Sequence, residues 1–308
     1  MKNKAFGIVV SVFRYIFLIS FSYVLLYPLL YIIVHTFQNP ADYFDPTVQW
    51  VSKNYTLENL KLGTKVIGFW SGLRSTVLVQ LVSAFVQIFS CGVAAYGIAR
   101  FKFKGKKLAN ALVLLNILVP STMILIPSYL NFHDVDFLGI LGFIGKNVGK
   151  DLTVNLLNTP WVFYLPSLFG VGLQSGLVIF IFVQFFKSFP KELEEAAWMD
   201  GLNPFETFFR IVIPCSGEVF LTVTILSVVW HWNEYYLPST YLTENYPLAV
   251  KVYNAFNTFY TAGYNQFSGE TVNAVMAACF LFLLPVLIMY LILQRRFINS
   301  VIQTGIKG

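Results

Sequence analysis

Charge is scarce in this chain. Asp, Glu, Lys and Arg make up 12% of its 308 residues, against roughly 25% in a soluble domain. With 56% hydrophobic residues, an ordinary cytosolic protein is excluded. Cysteine is scarce too. Cys91, Cys215 and Cys279 lie in or beside apolar stretches, at spacings that suit neither a zinc site nor a disulfide framework, and read as small buried hydrophobes. The histidines His35, His133 and His231 are far apart on different segments, so neither a metal cluster nor a nucleophile–base pair is implied. No small-residue cleavage site follows the first apolar run, which is therefore expected to stay as a span. Gly145–Asp151 holds glycines and lysines but lacks the G-x-x-x-x-G-K-[ST] spacing of a phosphate loop.

What is present is long and apolar. A span needs about 20 mainly apolar residues, and six stretches qualify: Tyr15–Val34, Ser75–Ala99, Leu108–Leu130, Pro166–Phe186, Val219–Leu237 and Val272–Leu293. The third contains Pro120 and Pro127, breaks tolerated where neighbours satisfy the freed carbonyls. Basic residues favour the cytoplasm. With the N-terminus inside, 14 of the 21 Lys and Arg fall on the cytoplasmic side and 7 outside. The acidic residues run the other way, and Glu234 sits inside a span. Five of the basic residues crowd into Arg100–Lys107, which reads as a topology determinant at the anionic inner leaflet. The net charge of +6 is thereby a matter of orientation, and nucleic acid is not expected as a partner.

One polar, punctuated stretch separates the fourth and fifth spans. In Glu195–Pro214 the residues Glu195, Ala196 and Ala197 continue a helix begun near Pro190, Gly201 can end it in the left-handed region, and Asn203-Pro204-Phe205-Glu206 restarts one with an N-cap, a first-turn proline and a capping-box glutamate. The second helix carries Phe205, Phe208, Phe209 and Ile213 in a segment expected to face water, where exposed aromatics serve a partner. Glu-Ala-Ala, three residues, Gly, nine residues and Ile-x-Ile-Pro, with Ile213 where Leu is usual, resembles the EAA loop of ABC importer permeases. Ala94–Phe101 (AAYGIARF), Pro120–Met123 with Pro127, Trp232-Asn233-Glu234-Tyr235, Gln294–Phe297 and the terminal Gly305–Gly308 resemble the shorter, six-span sugar permease of maltose-type pairs. The likeness covers Thr56 to Gly308. It departs at Arg74-Ser75, where Asn-Ser is usual, and in a lengthened loop at Gly139–Asp151.

The resemblance implies an all-α integral membrane protein with the type I ABC importer (MetI-like) transmembrane fold, six spans and both termini cytoplasmic. Residues 1–70 would hold the first span and an outer loop, 71–294 the transmembrane domain with its coupling loop at 187–214, and 295–308 a tail. It further implies that Glu195, Ala196, Ala197, Asp200, Gly201, Phe205, Phe208, Ile211 and Pro214 form the coupling helix region that docks on an ATPase. The chain would be non-catalytic and bind no cofactor, with ATP and Mg held by two copies of a cytoplasmic ATPase. A second homologous permease and an extracellular solute-binding protein would complete the assembly in a bacterial cytoplasmic membrane.

Two further sites are read from the residues. Trp230, Trp232, Asn233, Glu234 and Tyr235 either line a sugar path, since rings stack on C–H faces while amides and carboxylates bond hydroxyls, or form an interfacial belt. Gly172–Gly176 is a G-x-x-x-G expected to let helices approach, with Gln174 beside it in reach of substrate. A lone secondary transporter or channel would need inverted repeats or several intramembrane charges, and one glutamate is thin support. A membrane enzyme would need an acid–base or metal set that the sequence lacks.

Overall fold

The computed structural model describes residues 2–48, 50–136 and 153–306. The whole lengthened loop Gly139–Asp151, with Gly145–Asp151 inside it, and the last two residues lie outside the described residues. The backbone is helical, and β-pairing among the described residues is confined to isolated bridges such as Gln38 with Tyr55. Among the described residues three helical stretches are long and apolar enough to cross a membrane, Val10–Phe37, Phe69–Arg100 and Gly269–Arg295, with a fourth if the bent pair Pro204–Cys215 and Gly217–Asn233 is one span.

The chain divides into two compact units, residues 1–69 with 252–284, and residues 70–251 with 285–308. In the first, helix α1 (Lys2–Phe37) carries an apolar surface over Tyr15–Val34, with Phe17, Ile19 and Val24 well exposed. Such a surface belongs against lipid. Its C-terminal carbonyls would be orphans, and side chains from elsewhere take them up. Asn59 on α2 (Glu58–Val66) donates its amide to the carbonyls of His35, Thr36 and Gln38 at 3.4, 3.1 and 2.8 Å. Asn273 donates to the same Gln38 carbonyl at 3.1 Å, which leaves its oxygen to accept from His35 Nδ1–H at 3.2 Å. Just beyond, the buried Asp42 carboxylate accepts from the Ser52 hydroxyl and the Lys53 N–H. On the solvent side of this loop Lys53 and Thr47 hold the Asp45 carboxyl well below the usual carboxylate range.

The second unit begins with α3 (Phe69–Ser75), which runs through a π-helical stretch, Thr76–Leu81, into α4 (Val82–Arg100). Then come α5 (Lys106–Leu118), α6 (Leu125–His133), α7 (Trp161–Leu168) and α8 (Ser175–Ser188). The polar segment holds α9 (Lys191–Met199), α10 (Pro204–Thr207), a second π-helical stretch at Phe208–Val212, and α11 (Ile213–Cys215). Helix α12 (Gly217–Asn233) leaves it at an angle of 82°. Short helices α13 (Tyr236–Tyr241) and α14 (Leu248–Tyr253) follow, while α15 (Ala255–Thr261) and α16 (Gly269–Ile306) as far as residue 284 belong to the first unit.

The core of this unit is α4 against α8, closed by α12 and the polar segment. Helix α4 presents fully buried small residues, Ala84, Cys91 and Ala95, and into that stripe pack Phe182 and Phe186 of α8. Lipid tails are as apolar as these side chains, so close packing holds the helices together here.

Three expected spans are interrupted, the fifth where α12 ends at Asn233 and α13 begins at Tyr236. The third breaks at Val119–Ile124 around Pro120, as its prolines allow. The fourth is not one helix from Pro166 to Phe186. It breaks after α7, with Gly170 at φ +68° and Gln174 at φ +55° before α8 begins. Gly172–Gly176 therefore lies across a break and forms no helix face. Gly176 still lies close to a neighbour within the chain, because its N–H donates to Asn116 Oδ1 of α5 at 2.7 Å.

Candidate functional site

Two places in the second unit concentrate chemistry. The first is the polar segment. Helix α9 ends in a Schellman motif: Leu202 N–H donates to Ala197 O and Gly201 N–H to Trp198 O, both at 3.0 Å, with Gly201 at φ +84°. Asn203 then caps α10, accepting from Glu206 N–H at 2.9 Å while Glu206 accepts from Asn203 N–H at 3.1 Å. This reciprocal box with Pro204 at the first position fixes an elbow between the two helices.

The elbow has an outer and an inner face. Glu195, Ala196, Asp200, Gly201, Phe205 and Pro214 are exposed, with Trp198 and Met199 beside them. Ala197 and Phe208 are buried and Ile211 is half-buried. The expectation that Phe208 and Phe209 face water is corrected. Phe208, only 3% exposed, stacks on Tyr96 of α4 at 4.8 Å, and Phe209 packs against the same core. Phe205, one turn earlier, rests its ring against Phe209 at 4.6 Å and stays 64% exposed, because α4 and α8 do not reach it.

The elbow is also tied to α4 by charge. Arg100, the last residue of α4, places Nε 2.9 and 2.7 Å from the two oxygens of Glu194 and a terminal nitrogen 2.7 Å from one of them. Both side chains are nearly buried, at 6% and 4% exposure. Sequence reasoning singled out Glu195 and read Arg100 as part of a topology run, and so missed this pair. A pattern that could have found it is one arginine closing a charge-free span.

The second place is a cavity of about 610 Å³ between α4, the third- and fourth-span segments and the end of α12. Its polar lining includes Gln80, Ser83, Asn116, Gln174, His231 and Glu234, the rest being mainly apolar. Gln80 is 1% exposed and its Nε2 has no acceptor among the described residues. His231 donates Nδ1–H to the Ser227 carbonyl at 2.9 Å, which leaves Nε2 as a lone-pair acceptor. Glu234 stands just past the end of α12, where its carboxylate accepts from Leu237 N–H at 3.0 Å.

Of the residues read as a path, Glu234 and Gln174 line this cavity, and Trp230, Trp232, Asn233 and Tyr235 are not among its lining. Trp230 packs on the core, Trp232 is 4% exposed, and Asn233 is exposed with its amide bonded to Val229 O. Gln80, Ser83 and Asn116 were missed. Gln80, Ser83 and Gln87, three and four apart in a charge-free span, form the one-faced polar spacing that could have pointed to them.

Residues 88–303 match the family described as the binding-protein-dependent transport system inner membrane component, and the chain belongs to it. It is a multi-pass membrane permease. Among curated proteins it is 27% identical over 303 residues to the probable ABC transporter permease protein YurM of Bacillus subtilis strain 168, covering 97% of this chain and 88% of that one. It is 24% identical over 284 residues to the probable starch degradation products transport system permease protein AmyC of Thermoanaerobacterium thermosulfurigenes, covering 91% of each. A crystal structure of a bacterial ABC transporter involved in the import of the acidic polysaccharide alginate shares the fold, with TM-score 0.71 and 21% identity over 96% of this chain and 98% of that one.

Proposed function

We propose that this chain is the permease subunit of an ATP-driven importer of carbohydrate, an oligosaccharide handed over by a solute-binding protein outside the cell. It forms half of the path, beside a second homologous permease, in a bacterial cytoplasmic membrane with six spans and both termini inside. Two ATPase subunits bind ATP and Mg and dock on the elbow, whose outer face carries Glu195, Asp200, Gly201 and Phe205. ATP-driven closure moves the elbow, and the spans rock between outward- and inward-open states.

The observation that carries the reading is the elbow itself. Its backbone is fixed by its own caps, its inner face is built into the α4–α8 core through Phe208, and its outer face is exposed among the described residues. A push on it therefore reaches the core. Carbohydrate is supported by the AmyC relative and by the cavity lining. Uncharged amides, hydroxyls and one carboxylate among apolar walls suit hydroxyl-rich solutes.

The test is co-purification of the ATPase with the permease, followed by uptake in vesicles carrying the binding protein and a panel of oligosaccharides. Native Cys215, exposed beside the elbow, reports the orientation. It should react with an impermeant thiol reagent applied from the cytoplasmic face. Labelling only from outside, or uptake that proceeds without ATP, would overturn the reading.

A further inference from the structure

The buried Arg100–Glu194 pair calls for a reason beyond stability. Replacing a buried ion pair by apolar residues of the same volume is often neutral or stabilising. What a guanidinium–carboxylate pair with Nε–H between both carboxylate oxygens supplies that an apolar contact does not is a fixed register. The two partners are 94 residues apart in sequence. One ends the long helix that begins at Phe69 and carries Gln80 and Ser83 into the cavity, and the other lies on the inner side of the helix whose outer side is the docking face. Along that helix Arg100 and Gln80 are about 30 Å apart. The Phe189 ring lies 6.0 Å from the guanidinium, and the Tyr96–Phe208 stack holds the elbow to the same end of α4.

We propose that Arg100 and Glu194 are positioning residues. Their ion pair locks α9 to α4, so that displacement of the elbow is delivered along α4 to the polar lining of the cavity. The proposal rests on the reading that an ATPase docks on the elbow. Loss of the pair lets the elbow move while α4 stays behind, so hydrolysis is uncoupled from transport and docking survives.

The experiment uses the complete transporter reconstituted in vesicles, with Arg100→Gln, Glu194→Gln and the exchanged pair Arg100→Glu with Glu194→Arg. Each single variant is expected to pull down the ATPase and hydrolyse ATP at the basal rate, but to import about tenfold less solute per ATP. The exchanged pair should recover most of that ratio. An unchanged ratio in assembled single variants, or less assembled complex with an unchanged ratio, overturns the proposal, because a purely structural pair would give the latter.

Should the single variants fail to insert, spin labels at the exposed positions Lys102 and Glu192 test the tie with Arg100 and Glu194 intact. The separation should be the same in nucleotide-free and ATP-trapped complexes. A change of about one helical turn, ~5 Å, overturns it. If the wild-type chain fails to retain the ATPase, the docking reading falls instead, and the two failures are told apart.

Discussion

Gly201 offers the sharpest test of the elbow, because structure separates the effects that a substitution there would combine. Its φ of +84° lies in the left-handed region, and a Cβ built on it meets no atom within 4 Å. The chain itself therefore imposes no clash, and the intramolecular cost of Gly201→Ala is backbone strain alone, about 1–2 kcal/mol. A cost of that size shifts the equilibrium between the elbow conformer and its alternatives roughly 5–30-fold, and ATPase affinity should fall by up to that factor, in proportion to the elbow population lost. Asparagine tolerates this backbone region far better than alanine, so Gly201→Asn should recover much of the loss. Gly201→Asp has similar backbone tolerance but sets a negative charge on the docking face beside exposed Asp200. It should abolish transport and weaken association although the protein still inserts. The assay is titration of the ATPase against permease in vesicles, with pull-down and substrate-stimulated hydrolysis, and Cys215 labelling as the check on insertion. Wild-type association and stimulated hydrolysis in Gly201→Asp would refute the assignment of the elbow. If Asn binds as poorly as Asp while Ala binds well, strain is the wrong cause and side-chain volume at the docking surface is the right one.

Three further outcomes are expected. Glu234→Gln should lower uptake with complex assembly and basal hydrolysis intact, and unchanged transport kinetics would place the carboxylate outside the path. Gly176→Ala would set a Cβ 2.5 Å from Asn116 Oδ1 and 3.0 Å from Ile117 N, which forces α5 from α8 and should cost about 1–3 kcal/mol, read as a lowered melting temperature in detergent. Asn59→Ala leaves the His35 and Thr36 carbonyls without their side-chain donor and should cost about 1–3 kcal/mol, whereas a melting temperature equal to wild type would show that these carbonyls find other partners.

Much of the elbow was legible because its determinants are local. Gly201, Asn203, Pro204 and Glu206 act within a six-residue stretch, through a left-handed glycine and a reciprocal cap, and no distant contact is needed to form them. The membrane character was equally plain, since a charge-poor chain with long apolar runs has few other ways to satisfy its surface. The inner face of the elbow was not legible. Phe205 and Phe208 are the same residue type three positions apart, and only the placement of α4 and α8 decides which of them is wet.

The break in the fourth span has a similar origin. A non-glycine residue at φ +55° is not announced by its own side chain, and the N–H that opens α8 at Gly176 is met by Asn116, 60 residues away. The choice between Glu194 and Glu195 turned on the same thing. Adjacent glutamates on a helix point about 100° apart, and tertiary packing alone selected the one that meets Arg100 in the protein interior. Local chemistry determined the turn of the elbow at Gly201 and the long apolar runs that suit a membrane. Long-range packing decided which polar groups are buried together, because burial depends on neighbours brought from elsewhere in the chain.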